Sequence, residues 1–149
     1  MEQSGEQLIQ AIQLDVWNAL HDPEVLKKCL DGCLSMERVS DHQFQAVVSA
    51  KIGPVRAKFN ALIHVENLAP PDSYTLVVDV KGGVAGFGKG TADISLSSMG
   101  DTTNLTYTVK GHVGGRLAQI GSRLIVSASR KMADSFFANF TKLWAENQV

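Results

Sequence analysis

The sequence predicts an α+β fold: an antiparallel sheet of about six to seven strands wrapped around a long C-terminal helix, with two short helices after the first strand. Three observations predict it. From Ser35 to about Val113 apolar residues recur at every second position, the period of strands with one wet face. From Arg116 onward the period lengthens to three or four, which is that of a helix. Between Asp15 and Leu30 lie two short helical patterns broken at Asp22-Pro23, where proline takes a favoured first position.

The elements follow in order. A short strand is expected near Glu6–Gln10, then helices over Asp15–His21 and Pro23–Leu30, the second ended by Gly32. FQAVVSAKI puts Phe44, Ala46, Val48, Ala50 and Ile52 on one face, and Gly53-Pro54 turns the chain. VRAKFNALIHV returns with Val55, Ala57, Phe59, Ala61, Ile63 and Val65 inward and Arg56, Lys58, Asn60 and His64 outward. After the Pro70-Pro71 turn, Tyr74, Leu76, Val78 and Val80 share a face. Gly90, Ala92, Ile94 and Leu96 follow, then Leu105, Tyr107, Val109, Gly111 and Val113. Such consecutive strands with short turns make a meander. The rest reads as one helix with an apolar stripe of Leu117, Ile120, Leu124, Ala128, Met132, Phe136, Phe140 and Leu143.

Composition narrows the function classes. A chain of 149 residues, 44% hydrophobic and 19% charged, is expected to form a single globular domain spanning residues 1–149. Its apolar runs are too short to span a bilayer, and the start MEQSGEQLIQ lacks the basic and apolar regions of a secretory leader, so the expected address is cytoplasmic. The net charge of −1 argues against general nucleic-acid binding. The charge is nevertheless polarised. Residues 1–50 carry eight acids and three bases, whereas residues 116–149 carry five bases and two acids. Cys29 and Cys33 have neither a second pair nor a nearby histidine, so no metal site is expected and both are read as reduced and structural.

The inner faces are rich in small residues. Ala46, Ala50, Ala57, Ala61, Gly90, Ala92 and Gly111 face Ala118, Gly121 and Ala128 of the helix, so either backbones pack closely or space is left. The second reading gives an apolar small-molecule cavity. Its expected wall is Ala46, Val48, Ala50, Phe59, Ala61, Val78, Gly90, Ala92, Tyr107, Gly111, Leu117, Gly121, Leu124 and Ala128. The same parity turns His64, Asp79, Asp93, Lys110 and His112 outward, leaving Tyr74 and Tyr107 as inner titratable groups. Catalysis needs a positioned acid, base or activated nucleophile, and no such pair emerges. No cofactor is implied, and Tyr107 is either structural or a hydrogen-bond donor to a ligand carbonyl.

Two further features have competing readings. Arg116, Arg123 and Arg130 repeat every seven residues along one helical face, either as a solvated surface or as a docking stripe for anionic lipid or an acidic partner. GVAGFGKG, Gly83–Gly90, approaches a phosphate-loop signature, but Gly90 stands where a magnesium-binding hydroxyl is required and a strand pattern follows instead of a helix. The glycines instead suggest a flexible rim, with Val84, Ala85 and Phe87 as an apolar entrance lip.

Four stretches, VWNALHDPEVLKKCLDGC, AVVSAKIGPVRAKFNA, GGVAGFGKGTADISL and GGRLAQIGSRLI with FFANF, cover nearly the whole chain. In them the protein resembles the carbon monoxide dehydrogenase CoxG family of the START-like (SRPBCC) helix-grip superfamily. The resemblance implies a helix-grip fold and a non-enzymatic protein that binds a quinone or lipid. It also implies a role in the maturation or membrane recruitment of a molybdenum hydroxylase such as carbon monoxide dehydrogenase. Asp31 stands where the family often has proline. Membrane contact is expected to be peripheral, at the inner face of the cell membrane. Two rival readings are an assembly factor acting through its surface, and an enzyme like the hydrolases and cyclases among START-like relatives, which requires an inward His64, His112 or acid.

Overall fold

The computed structural model describes residues 1–146. Its elements are β1 (Glu2–Ile9), α1 (Gln13–Leu20), α2 (Pro23–Cys29), β2 (Cys33–Ser40), β3 (Gln43–Ile52), β4 (Val55–Ala69), β5 (Ser73–Lys81), β6 (Phe87–Ser98), β7 (Thr103–Gly114), α3 (Arg116–Gln119) and α4 (Ser122–Glu146). The strands form one seven-stranded sheet in the order β1-β7-β6-β5-β4-β3-β2. All neighbouring pairs are antiparallel, as a meander with tight turns dictates. The first strand closes back on the last, so the chain start pairs with β7.

Period-two alternation sets the inner face. Phe44, Ala46 and Val48 of β3 and Val55, Phe59, Ala61 and Val65 of β4 are buried, while Arg56, Lys58, Asn60, Leu62 and His64 are exposed. Register then aligns the small residues, because Ala46 pairs with Ala61 and Ala50 with Ala57. Gly90 likewise faces Gly111 across β6 and β7. The middle of the sheet is therefore shallow on its inner side.

The sheet ends are filled from two directions. Val16, Trp17 and Leu20 of α1 and Cys29 of α2 join Ile9, Phe44, Tyr74, Leu105 and Phe140 in the main core. Asp22 caps α2 by accepting a hydrogen bond from the Glu24 amide at 3.0 Å. Asn139 of α4 ties the long helix to the end of α2, its Nδ2 donating to the Cys29 carbonyl at 2.9 Å and to Asp31 Oδ1 at 3.0 Å. Buried Thr103 donates to the Ala11 carbonyl at 2.8 Å, which holds the connection before α1 against β7. Both cysteines are free thiols, and burial pushes Cys29 up to about 11, leaving it protonated and unreactive.

Two boundaries differ from the sequence reading. The first strand runs Glu2–Ile9 instead of Glu6–Gln10. Its inward set is Gln3, Gly5, Gln7 and Ile9, a pattern too polar for a hydrophobic period to reveal. The expected single C-terminal helix is broken. Gly121 adopts φ +102°, outside any helical conformation, so α3 ends at Gln119 and α4 starts at Ser122. This break resets the helical phase: Leu124, placed on the inner stripe by continuous counting, is 47% exposed, and Ile125 takes the inner position.

Helix α4 grips the sheet unevenly. Its C-terminal half supplies Phe136, Phe137 and Phe140, with the Phe137 ring stacked on Tyr107 at 5.4 Å and the Phe136 ring on Phe140 at 6.0 Å. Phe140 is fully buried, whereas no residue from Ser122 to Phe137 is. The N-terminal half therefore stands off the shallow middle of the sheet and leaves a chamber beneath it. Among the described residues no helix is long and apolar enough to cross a membrane.

Candidate ligand-binding site

The chamber has two joined lobes. The larger, about 350 Å³, lies under Ala133, Phe136 and Phe137 of α4. Leu20 and His21 after α1, Phe44, Tyr74, Ile94, Leu105 and Tyr107 line it too. The smaller, about 320 Å³, lies between Ala46, Val48, Ala50, Phe59 and Ala61 on the sheet and Leu117, Ile125 and Ala128 above. Leu30, Ile63, Val78, Ser129 and Met132 belong to both walls, so the lobes meet beneath Met132. A wider hollow of about 500 Å³ continues toward the α3–α4 break, between Gly88, Gly90, Ala92, Val109 and Gly111 of the sheet and Ala118, Gly121 and Ser122. The small side chains that left the packing question open thus line space here.

Most of the wall expected from sequence is brought together. Ala46, Val48, Ala50, Phe59, Ala61, Leu117 and Ala128 line the smaller lobe, Ala92 and Tyr107 the larger, and Val78 both. Gly90, Gly111 and Gly121 border the wider hollow. Leu124 lies off the chamber, over the turn at Gly53. The expected entrance lip does not form as a unit. Ala85 is 3% exposed and packs with Val55, Phe59 and Leu117, closing the floor. Phe87 begins β6 with the parity of Lys89 and Thr91, and its ring crosses Gly114. Phe87 and Val84 therefore border a hollow with Asp79, Lys81 and Lys89 on the outer face of the sheet. Gly86, at φ +110°, permits this reversal, because a Cβ there would collide with the Gly114 carbonyl.

The phosphate-loop reading fails on structure as well as spacing. The glycines form a single 3₁₀ turn, Gly83–Ala85, and run directly into β6, so no helix N-terminus is presented to an anion. The arginine stripe is also interrupted. Arg116 belongs to α3, while Arg123 and Arg130 lie on α4 beyond the break. All three are exposed, and none has an ion-pair partner among the described residues.

The chemistry of the two lobes is sparse. His21, Tyr74 and Tyr107 are the titratable side chains on their walls. His64 and His112 are exposed on the outer face, and among the described residues no cluster of His, Cys, Asp and Glu could hold a metal ion. Burial drives the Tyr74 phenol far above its ordinary range, so it stays neutral. His21 is pushed below the ordinary histidine value, chiefly by burial and secondarily by Arg38, against the opposing pull of the Trp17 carbonyl. Its ring is enclosed by Trp17 at 4.5 Å and Tyr74 at 4.4 Å between centroids. The arrangement offers an apolar envelope with a few neutral polar groups and no nucleophile beside a base.

Sequence reasoning missed two wall residues, Gln3 and His21. Gln3 was outside the expected first strand; counting back by twos from buried Ile9 would have turned it inward. His21 follows the last turn of α1, where no strand parity applies.

The family model described as the G-type subunit of carbon monoxide dehydrogenase (CoxG) matches residues 5–143. The chain belongs to this family. No curated protein matches it in sequence. Among solved structures, a conserved protein from Geobacillus kaustophilus is 33% identical, with a TM-score of 0.90 over 98% of this chain and 96% of that one. A START superfamily protein from Mycobacterium smegmatis shares the fold at 12% identity and a TM-score of 0.74, covering 95% of this chain and 94% of that one. The Zhui aromatase/cyclase from Streptomyces sp. R1128 shares it at 7% identity and a TM-score of 0.70, covering 95% and 92%. This CoxG family member is thus START-like, as its residues suggested, with the chamber set between sheet and gripping helix.

Proposed function

We propose that this CoxG family member is a non-enzymatic binding protein for a hydrophobic small molecule of the quinone or lipid class. It holds that molecule in the two-lobed chamber and serves a molybdenum hydroxylase such as carbon monoxide dehydrogenase. The observation that carries the reading is the chamber itself: lobes of about 350 and 320 Å³ walled by apolar side chains, with no paired acid and base. Interiors normally close such gaps, since packing reaches the density of organic crystals. Stacked Ala and Gly pairs keep this one open. The family membership supports the link to the dehydrogenase.

Native mass spectrometry of protein purified from its own host, followed by solvent extraction, tests the reading. A bound apolar molecule that Ala61→Phe displaces, by filling the smaller lobe, is the expected result. Protein that arrives empty and takes up neither quinones nor fatty acids refutes it.

Exposed, unpaired Arg123 and Arg130 favour a second role, docking on an acidic partner or on anionic lipid at the membrane surface. Reversing both to Glu should abolish co-purification with the dehydrogenase while leaving ligand content intact. Unchanged co-purification removes this role.

A further inference from the structure

Two polar side chains on the larger lobe lack partners that the fold supplies to its other buried polar groups. Gln3 lies on the inner face of edge strand β1, opposite Val109 of β7. It is 4% exposed, and neither its Oε1 nor its Nε2 has a hydrogen-bond partner. His21 places Nδ1 2.7 Å from the Trp17 carbonyl. A carbonyl can only accept, so Nδ1 carries the hydrogen and Nε2 of the neutral ring is left as an acceptor. That nitrogen is buried and unpartnered too. Trp17 and Tyr74 hold the ring between them, so it cannot swing away without losing both contacts. Both residues line the same lobe.

Buried polar groups in folded proteins are almost always paired, because an unmet donor or acceptor carries its full desolvation cost. This fold obeys the rule elsewhere: Thr103 and Asn139 reach across the core to backbone carbonyls. The unmet groups gather where a ligand would sit. Between them they offer two acceptors, Gln3 Oε1 and His21 Nε2, and one donor, the Gln3 amide N–H.

We propose that the chamber selects an apolar ligand bearing hydroxyl groups, such as a phenol or dihydroxyarene, over one that offers acceptors only. Gln3 and His21 receive its O–H groups. The inference rests on the chamber being a ligand site and adds the chemistry of the ligand. Within the quinone class it distinguishes the redox forms. An oxidised quinone presents only carbonyl acceptors and can satisfy only the Gln3 N–H, whereas the dihydroxy form also gives His21 Nε2 a donor. A preference of roughly ten-fold for the hydroxylated form is expected, the ratio associated with one hydrogen bond to a buried group.

Isothermal titration calorimetry of the full chain with 1-naphthol and 1-methoxynaphthalene isolates the effect, because methylation keeps the ring and removes the O–H. Wild type should bind naphthol about ten-fold more tightly. Gln3→Met with His21→Phe should bring the ratio close to one while retaining affinity for methoxynaphthalene. Gln3→Met alone, which keeps side-chain length and leaves α1 untouched, should lower the ratio by roughly three-fold, so the inference stays testable if the double variant misfolds. Equal wild-type affinities, or a ratio unmoved by the substitutions, overturns the inference and leaves the chamber a ligand site. Failure of both probes to bind wild type overturns the chamber reading and this inference with it.

Discussion

Replacing Gln3 with methionine should stabilise the protein in the absence of ligand. The amide is 4% exposed and both of its polar atoms are unpaired, so the folded state carries a desolvation cost that the unfolded chain does not. Methionine has the same reach without those atoms and adapts its shape to irregular space. Removing an unsatisfied buried polar group recovers about 1–3 kcal/mol. For a chain of 149 residues, where 1 kcal/mol moves the melting temperature by about 2–4 °C, the expected rise is roughly 3–10 °C. Differential scanning calorimetry on protein unfolded, solvent-extracted and refolded compares the two chains without bound apolar material. An unchanged or lower midpoint refutes the reasoning, since it means that the amide is satisfied in the empty protein, for instance by a water in the lobe. A rise in the stripped protein combined with weaker binding of 1-naphthol would separate a ligand-directed polar group from a structural one.

Three other outcomes follow from the same structure. Phe140→Ala removes a fully buried ring that stacks on Phe136 and meets Trp144 edge-on, and should cost about 3–5 kcal/mol in urea unfolding. Gly121→Ala meets no neighbouring atom within 4 Å, so any cost comes from φ +102° alone; a loss of about 1–2 kcal/mol is expected, and no loss would mean that the α3–α4 junction relaxes freely. Stability should also fall as pH drops below about 6.5, the unperturbed histidine value. His21's folded-state value is depressed, so below that pH the unfolded chain binds a proton that the folded chain resists. His21→Phe should flatten that part of the pH profile, and a slope that persists unchanged would assign it to another group.

The sequence determined most of the sheet, because its evidence is local. Alternation at β3 and β4 fixes which residues turn inward, since a one-residue slip would bury Arg56 and Lys58. The aromatic run of α4 was legible for the same reason, as spacings of three and four fall on one helical face. The small residues facing each other could be counted in advance, yet whether they close up or leave room could not. That depends on how far α4 stands from the sheet, and the distance is set elsewhere, by Phe136, Phe137 and Phe140 at one end and the Asn139 hydrogen bonds to the α2–β2 turn. Gly121 was visible as a letter inside a helical pattern, but its positive φ, and with it the displacement of Leu124 from the wall, is a property of the packed chain. Gln3 and His21 show the division most clearly. Their lack of partners exists only when β1, α1 and β5 are brought together, because an unmet hydrogen bond is a relation between distant groups, and no window of sequence contains it.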